Sequence, residues 1–199
     1  KTHGRTLALV GGSPSVKEHL DEIRAFDEVW AINECANWLN RQGIAATLFT
    51  IDPSPMAPEA YEVPAAICAD FASEVGFLAL KGRVRVFDSR LGGPTSASRA
   101  PLIALQLGFG SVTFFGMAGS FNDQTHAYKN TPETALIQVS CEGRVFNTVP
   151  EFYVQSQVLC ECVRDHPRVF SERSGGLLAA MCRTGRWNVT AIASHLLVP

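Results

Sequence analysis

Leu7-Ala8-Leu9-Val10-Gly11-Gly12-Ser13-Pro14-Ser15 is an apolar run that breaks into a glycine turn and then into a helix signal. The run is short and uninterrupted, as expected of a strand covered on both faces of a parallel sheet. Glycine permits a tight turn and the close approach of a backbone or an anion. Pro14 suits the first turn of a helix, where its missing N–H costs nothing, and a helix is predicted over 16–25. With its small residues and two serine hydroxyls, the turn is able to close N–H groups on a phosphate at a helix N-terminus. A plain strand-to-helix turn has the same composition. The pattern is neither GxGxxG nor the Gly-Lys-Ser/Thr of a P-loop, so the turn by itself leaves both readings open.

Outward from this turn, strand-like and helix-like segments alternate, which argues for an α/β fold. Strands are predicted at 6–10, 28–32, 47–51, 65–68, 83–87, 111–115 and 168–171. Helices are predicted at 34–42, 71–80, 96–107 and 150–165, with Gly43 and Gly108 placed to end two of them. The stretch 53–64 holds four prolines and reads as a loop. Segments 136–141 and 144–148 read as a hairpin turning at Glu142-Gly143. Ser174-Gly175-Gly176 opens a short final helix, and 187–199 carries no clear pattern.

The totals narrow the function classes. A chain of 199 residues with 46% hydrophobic and 18% charged residues is globular. A net charge of −2 argues against a broad nucleic-acid or membrane surface, but leaves small anionic ligands open. No apolar run reaches membrane-spanning length, and no secretory leader is expected. The six cysteines form no CxxC pair and no zinc spacing. Their apolar surroundings predict reduced core thiols in a cytoplasmic protein.

In an open parallel sheet, ligands bind beyond the carboxyl ends of the strands, near the switch in strand order. Gly11, Gly12, Ser13, Pro14 and Ser15 fall on such an end, as do Asn33, Asp52, Gly116, Ser120 and Phe121. Thr95 and Ser96 open the helix at 96–107. Taken singly, Asn33, Thr95 and Ser96 are equally readable as helix caps, and Asp52 as a turn former before Pro53. As a set they point to one ligand rim. Asp52 suits a ribose hydroxyl, a base amine or a magnesium ion; without a second carboxylate of known position, no metal site is assigned. His126, in the polar segment Gln124-Thr125-His126-Ala127, suits a general acid or base, or a protonated group holding a leaving phosphate. No GxSxG elbow is present for a hydrolase, and no GxGxxG for a dehydrogenase.

Together these motifs resemble a known family. Val10-Gly11-Gly12-Ser13-Pro14-Ser15 resembles the opening GxGPSL-type motif of the MptE-like and Maf (motility-associated factor) glycosyltransferase superfamily. The resemblance continues through Ala31-Ile32-Asn33, Thr50-Ile51-Asp52-Pro53, Gly92-Gly93-Pro94-Thr95-Ser96-Ala97, Phe115-Gly116-Met117, Ser120-Phe121, Thr125-His126-Ala127 and Thr148-Val149-Pro150-Glu151-Phe152, to Ser174-Gly175-Gly176. More distantly, the chain is similar to bacterial sialyltransferases that use a CMP-activated sugar.

The resemblance implies a single Rossmann-like nucleotide-binding transferase domain over 1–199. Its sheet would be mostly parallel, with helices on both faces and a small β-hairpin addition. It implies phosphate contacts for Gly11 to Ser15 and Asn33, and nucleotide sugar or base contacts for Asp52, Thr95 and Ser96. It places His126 by the leaving phosphate. The implied partner is a nucleotide-activated small-molecule donor; the acceptor is not specified. No resident cofactor is expected for glycosyl transfer. Magnesium is expected only for the alternative activity among relatives, pyrophosphate transfer from ATP to a hydroxymethylpterin. The family usually carries an aspartate where this chain has Ala118, which motivates a third reading, a nucleotide-binding module impaired in catalysis.

Overall fold

The computed structural model describes residues 3–88, 90, 93–121, 127 and 137–192. A seven-stranded sheet runs through the centre. Its strands are β1 (Thr6–Val10), β2 (Glu28–Ile32), β3 (Thr47–Thr50), β4 (Ala65–Ala69), β5 (Arg83–Phe87), β6 (Ser111–Phe115) and β9 (Phe170–Glu172). Every neighbouring pair in this sheet is parallel. The helices are α1 (Leu20–Arg24), α2 (Cys35–Arg41), α3 (Glu74–Ala79), α4 (Ser96–Leu107), α5 (Pro150–Asp165) and α6 (Gly176–Thr184). This is the Rossmann-like α/β arrangement that the sequence implied.

Strand alternation builds two cores from one sheet. Leu7 and Leu9 of β1 and Trp30 of β2 point to the face covered by α4, α5 and α6. Ala8, Val10, Val29 and Ala31 point to the face covered by α1, α2 and α3. Burial on both sides leaves no polar face, so these strands read as apolar runs. On the first face, Trp30, Phe49 and Phe87 stack in a row, with centroids 5.8 and 5.4 Å apart; each such pair adds about 0.5–1.5 kcal/mol beyond its area. At the β5 edge, Val84 and Val86 are exposed, and the alternating Arg83 and Arg85 discourage edge pairing.

Several elements differ from the sequence expectation. The helix predicted from 16 begins as a tighter 3-10 turn over Pro14–His19 before α1. Its geometry is set by the Ser13 N–H, held on the Gly116 carbonyl at 2.8 Å, and by the Val16 N–H, held on Ser13 at 3.0 Å. β3 stops at Thr50 because the Ile51 N–H leaves the ladder for Ser96 Oγ at 3.1 Å. α3 starts at Glu74, where Ser73 caps it by accepting the Gly76 N–H, which leaves Phe71 outside the helix. The expected hairpin, β7 (Ile137–Cys141) and β8 (Arg144–Thr148), gains a third strand. β10 (Asn188–Ile192) comes from the unassigned tail and pairs antiparallel with β7.

All six cysteines are free thiols, and Cys35, Cys68, Cys141 and Cys160 are buried. Burial pushes the Cys68 and Cys162 thiols up to about 11 and the Cys35 thiol higher still. These groups stay protonated in the fold but ionise once it opens, near pH ~8.5. Their contribution to stability is therefore complete below that pH and is lost as pH rises through about 11. Native protein at pH ~7.5 is expected to leave Cys35, Cys68 and Cys162 unmodified by iodoacetamide, with modification appearing in urea. Mass spectrometry of the alkylated peptides checks this, and labelling of Cys35 without denaturant would contradict it.

Candidate functional site

The strand order β5-β4-β3-β2-β1-β6-β9 reverses at β1. The chain runs outward from β1 to β5, then returns to lay β6 on the other side of β1. Turns leaving β1 and β6 part at this point, where open α/β sheets form their ligand crevices. Before parting they are stitched together. The Gly11 N–H donates to the Phe115 carbonyl and the Ser13 N–H to the Gly116 carbonyl, each at 2.8 Å. A Cβ on Gly11 would lie 2.5 Å from the Gly116 oxygen, so glycine is the residue that fits.

Beyond this contact lies a cavity of about 440 Å³, within the range of small-molecule sites. Gly11, Gly12, Ser13, Asn33, Asp52, Thr95, Ser96, Gly116, Ser120 and Phe121 all line it. Strand ends far apart in sequence thus deliver the predicted residues to one place. Pro14 and Ser15 do not line it. They begin the 3-10 turn, and Ser15 Oγ donates to the Ser174 carbonyl at 2.7 Å. His126 lies outside the described residues. Ala127, its neighbour in the chain, is buried and donates its N–H to the Gly12 carbonyl at 2.7 Å.

Hydrogen bonding assigns these residues structural duties. Carbonyls of β6 and its turn engage the Gly11 and Ser13 amides, which the sequence offered to a phosphate. Ser13 Oγ accepts from the Ala118 N–H at 3.1 Å. Ser120 Oγ accepts from the Leu177 N–H at 3.1 Å and so caps α6. Thr95 is the N-cap of α4: its Oγ1 accepts from the Ser98 N–H, and Ser98 Oγ accepts from the Thr95 N–H. With Ser98 and Arg99 amides bonded to Thr95, the Ser96 and Ala97 amides remain as first-turn donors without intrahelical partners. Ser96 Oγ bridges β3 and β2, accepting from the Ile51 N–H and donating to Asn33 Oδ1 at 3.4 Å.

Asn33 has a left-handed backbone, φ 51. Asparagine tolerates this better than most residues, and such conformations gather at functional sites. Asp52 Oδ1 accepts from the Ser54 N–H at 3.0 Å, an Asx turn across Pro53. The turn-former reading of Asp52 therefore holds while its carboxylate still lines the cavity.

Phe71, Arg99, Phe152 and Gln155 also line the cavity and carried no functional assignment from sequence. Arg99 stands one turn beyond Thr95 on α4, a spacing that a predicted helix makes readable. Phe71 fell inside a predicted helix. Phe152 and Gln155 come from α5, and Thr95 Oγ1 donates to Gln155 Oε1 at 3.2 Å across a separation of 60 residues; nothing local announces that contact. Ala118 is buried and faces α6: a Cβ on Gly176 would lie 2.7 Å from its methyl. Ala118 is therefore a packing residue behind the cavity wall. Among the described residues, no group of three or more His, Cys, Asp or Glu side chains forms a metal-binding cluster, and no helix is long and apolar enough to cross a membrane.

Neither a protein-family model nor a curated protein sequence matches the chain. Solved structures do. A Maf glycosyltransferase from Magnetospirillum magneticum AMB-1 superimposes with a TM-score of 0.65 at 14% identity, covering 88% of this chain and 33% of that one. A mammalian sialyltransferase superimposes with a TM-score of 0.53 at 14% identity, covering 86% of this chain and 69% of that one. The chain thus spans about a third of the Maf protein's length. What it shares with both transferases is the fold: the Rossmann-like sheet that carries the cavity just described.

Proposed function

We propose that this chain is a nucleotide-binding transferase domain that moves a sugar from a nucleotide-activated donor, of CMP type, to an acceptor hydroxyl. One observation carries the reading. The cavity lies at the strand-order switch and gathers Gly12, Asn33, Asp52, Thr95 and Ser96 from four separate strand-to-helix connections. Its amide, hydroxyl and carboxylate groups match the phosphate, ribose and base of a nucleotide. The transferase folds it shares are consistent with this. Its free thiols suit the reducing cytoplasm.

In the proposed reaction the acceptor oxygen forms a bond to the anomeric carbon as the bond from that carbon to the phosphate oxygen breaks. The phosphate leaves with the electron pair, and the acceptor proton passes to solvent. His126, protonated, hydrogen-bonds the departing phosphate. Amides at the start of α4 and of Gly12 hold it in place. No observation favours pyrophosphate transfer over this reading.

A thermal-shift screen with CMP, UDP, GDP, ATP and a CMP-sugar, with and without magnesium, tests the proposal. A ligand near ~100 times its dissociation constant adds about 2.7 kcal/mol of stability, and the CMP ligands are expected to give the largest shift. A shift confined to ATP with magnesium would select the pyrophosphokinase. Silence from every nucleotide would remove the proposal.

A further inference from the structure

We infer that Gln155 grips the phosphate of the ligand through its side-chain amide; this rests on the nucleotide reading above. Gln155 lies on α5, one turn beyond Phe152, and both line the cavity. Its oxygen is taken, because Thr95 Oγ1 donates to Oε1 at 3.2 Å. The capping box leaves the Thr95 proton for that bond. Thr95 Oγ1 already accepts the Ser98 N–H, the Thr95 N–H goes to Ser98 Oγ, and the Ser98 hydroxyl donates to the Thr95 carbonyl at 3.0 Å. The carboxamide is thereby turned so that Nε2 is left over, without a partner among the described residues.

The same device recurs one residue on. Ser96 Oγ accepts the Ile51 N–H and donates to Asn33 Oδ1, and Asn33 Nδ2 likewise has no partner among the described residues. Two neighbouring hydroxyls thus hold two carboxamides, one from α5 and one from the end of β2, each by its oxygen. What remains on this wall is a set of neutral N–H donors beside the start of α4, where the helix dipole favours negative charge. Base and sugar edges carry donors and acceptors together, whereas a phosphate presents acceptors and charge. Hydrogen bonds to a charged oxygen are about twice as strong as neutral ones, so a phosphate gains most from such a wall. An amide already held at its oxygen also loses less rotamer freedom on binding.

The test is calorimetric titration of CMP and cytidine into wild type, Gln155→Met and Gln155→Glu. Gln155→Met keeps the length of the side chain without a donor. It is expected to weaken CMP roughly tenfold or more, the loss of one charge-assisted hydrogen bond, and to leave cytidine within about twofold. Gln155→Glu keeps an oxygen for Thr95 and nearly the same shape, but sets a negative charge against the phosphate. It should weaken CMP further than Gln155→Met does, by an amount that shrinks as salt is raised. A side chain that merely packs gives the opposite order, since glutamate is the closer mimic. Unchanged urea midpoints report that both variants are folded. Equal weakening of cytidine and CMP, which would put Gln155 on the base or sugar, overturns the inference. So does unchanged CMP affinity in Gln155→Met, or a Gln155→Glu variant milder than Gln155→Met. Each of these leaves the proposed function standing. Wild type that binds neither CMP nor cytidine overturns both.

Discussion

Gly116→Ala is expected to lower the unfolding free energy by about 2–5 kcal/mol, the sum of a left-handed backbone penalty and overpacking. Gly116 has φ +60, and its missing Cβ would sit 2.4 Å from the Gly11 carbonyl oxygen. The Cβ position is fixed by its own backbone and the oxygen belongs to another, so no rotamer change relieves the clash. The two turns would have to separate, stretching the bonds from Gly11 to Phe115 and from Ser13 to Gly116. Gly43→Ala is the control. It has φ +75 but nothing within 4 Å of its added Cβ, so it bears only the backbone penalty of about 1–2 kcal/mol. Urea unfolding followed by fluorescence of buried Trp30 measures both. If the two variants lose the same amount, the close approach at the strand switch is not what Gly116 protects.

His126→Ala is expected to lower kcat about 10²–10⁴-fold, the range for losing one positioned proton donor or acceptor, with a smaller change in KM. His126 follows Thr125 in a polar segment and directly precedes Ala127, whose N–H is bonded to Gly12 on the cavity wall. An imidazolium assists a departing phosphate only when protonated. Wild-type kcat should therefore fall as pH rises through the imidazole range, and the variant should lack that limb. Product release from the CMP-sugar donor at several pH values supplies both readouts. Turnover within a factor of ~2 of wild type would end the proposed role, since positioned acid–base groups contribute far more.

The central strands were legible because burial on both faces leaves an unmistakable trace. Thr6–Val10, Glu28–Ile32 and Ser111–Phe115 stand where the apolar and β-branched runs put them. α4 was legible at both ends: Thr95 caps its start, and Gly108, at φ 88, closes it. Element ends decided by partners from elsewhere were not legible. β3 loses Ile51 to a serine 45 residues away. β10 needs β7 as its template before its own weak pattern means anything.

The site divides in the same way. Glycine at 11 and 116, hydroxyls at 95 and 96, and the polar residues Asn33 and Asp52 announce strand ends, because such groups have no place inside a strand buried on both faces. The sequence by itself therefore determined the α/β class, the strand-to-helix turns and many of the residues that line the cavity. Only the tertiary structure decided their duties. It brought β6 against β1 and engaged the Gly11 and Ser13 amides there. It turned Ser15 toward Ser174 and buried Ala118 against α6. It also set Arg99 on Phe71 at the cavity wall. A donor's availability depends on which distant carbonyl reaches it first, and that is a property of the strand order, which no local stretch of sequence encodes.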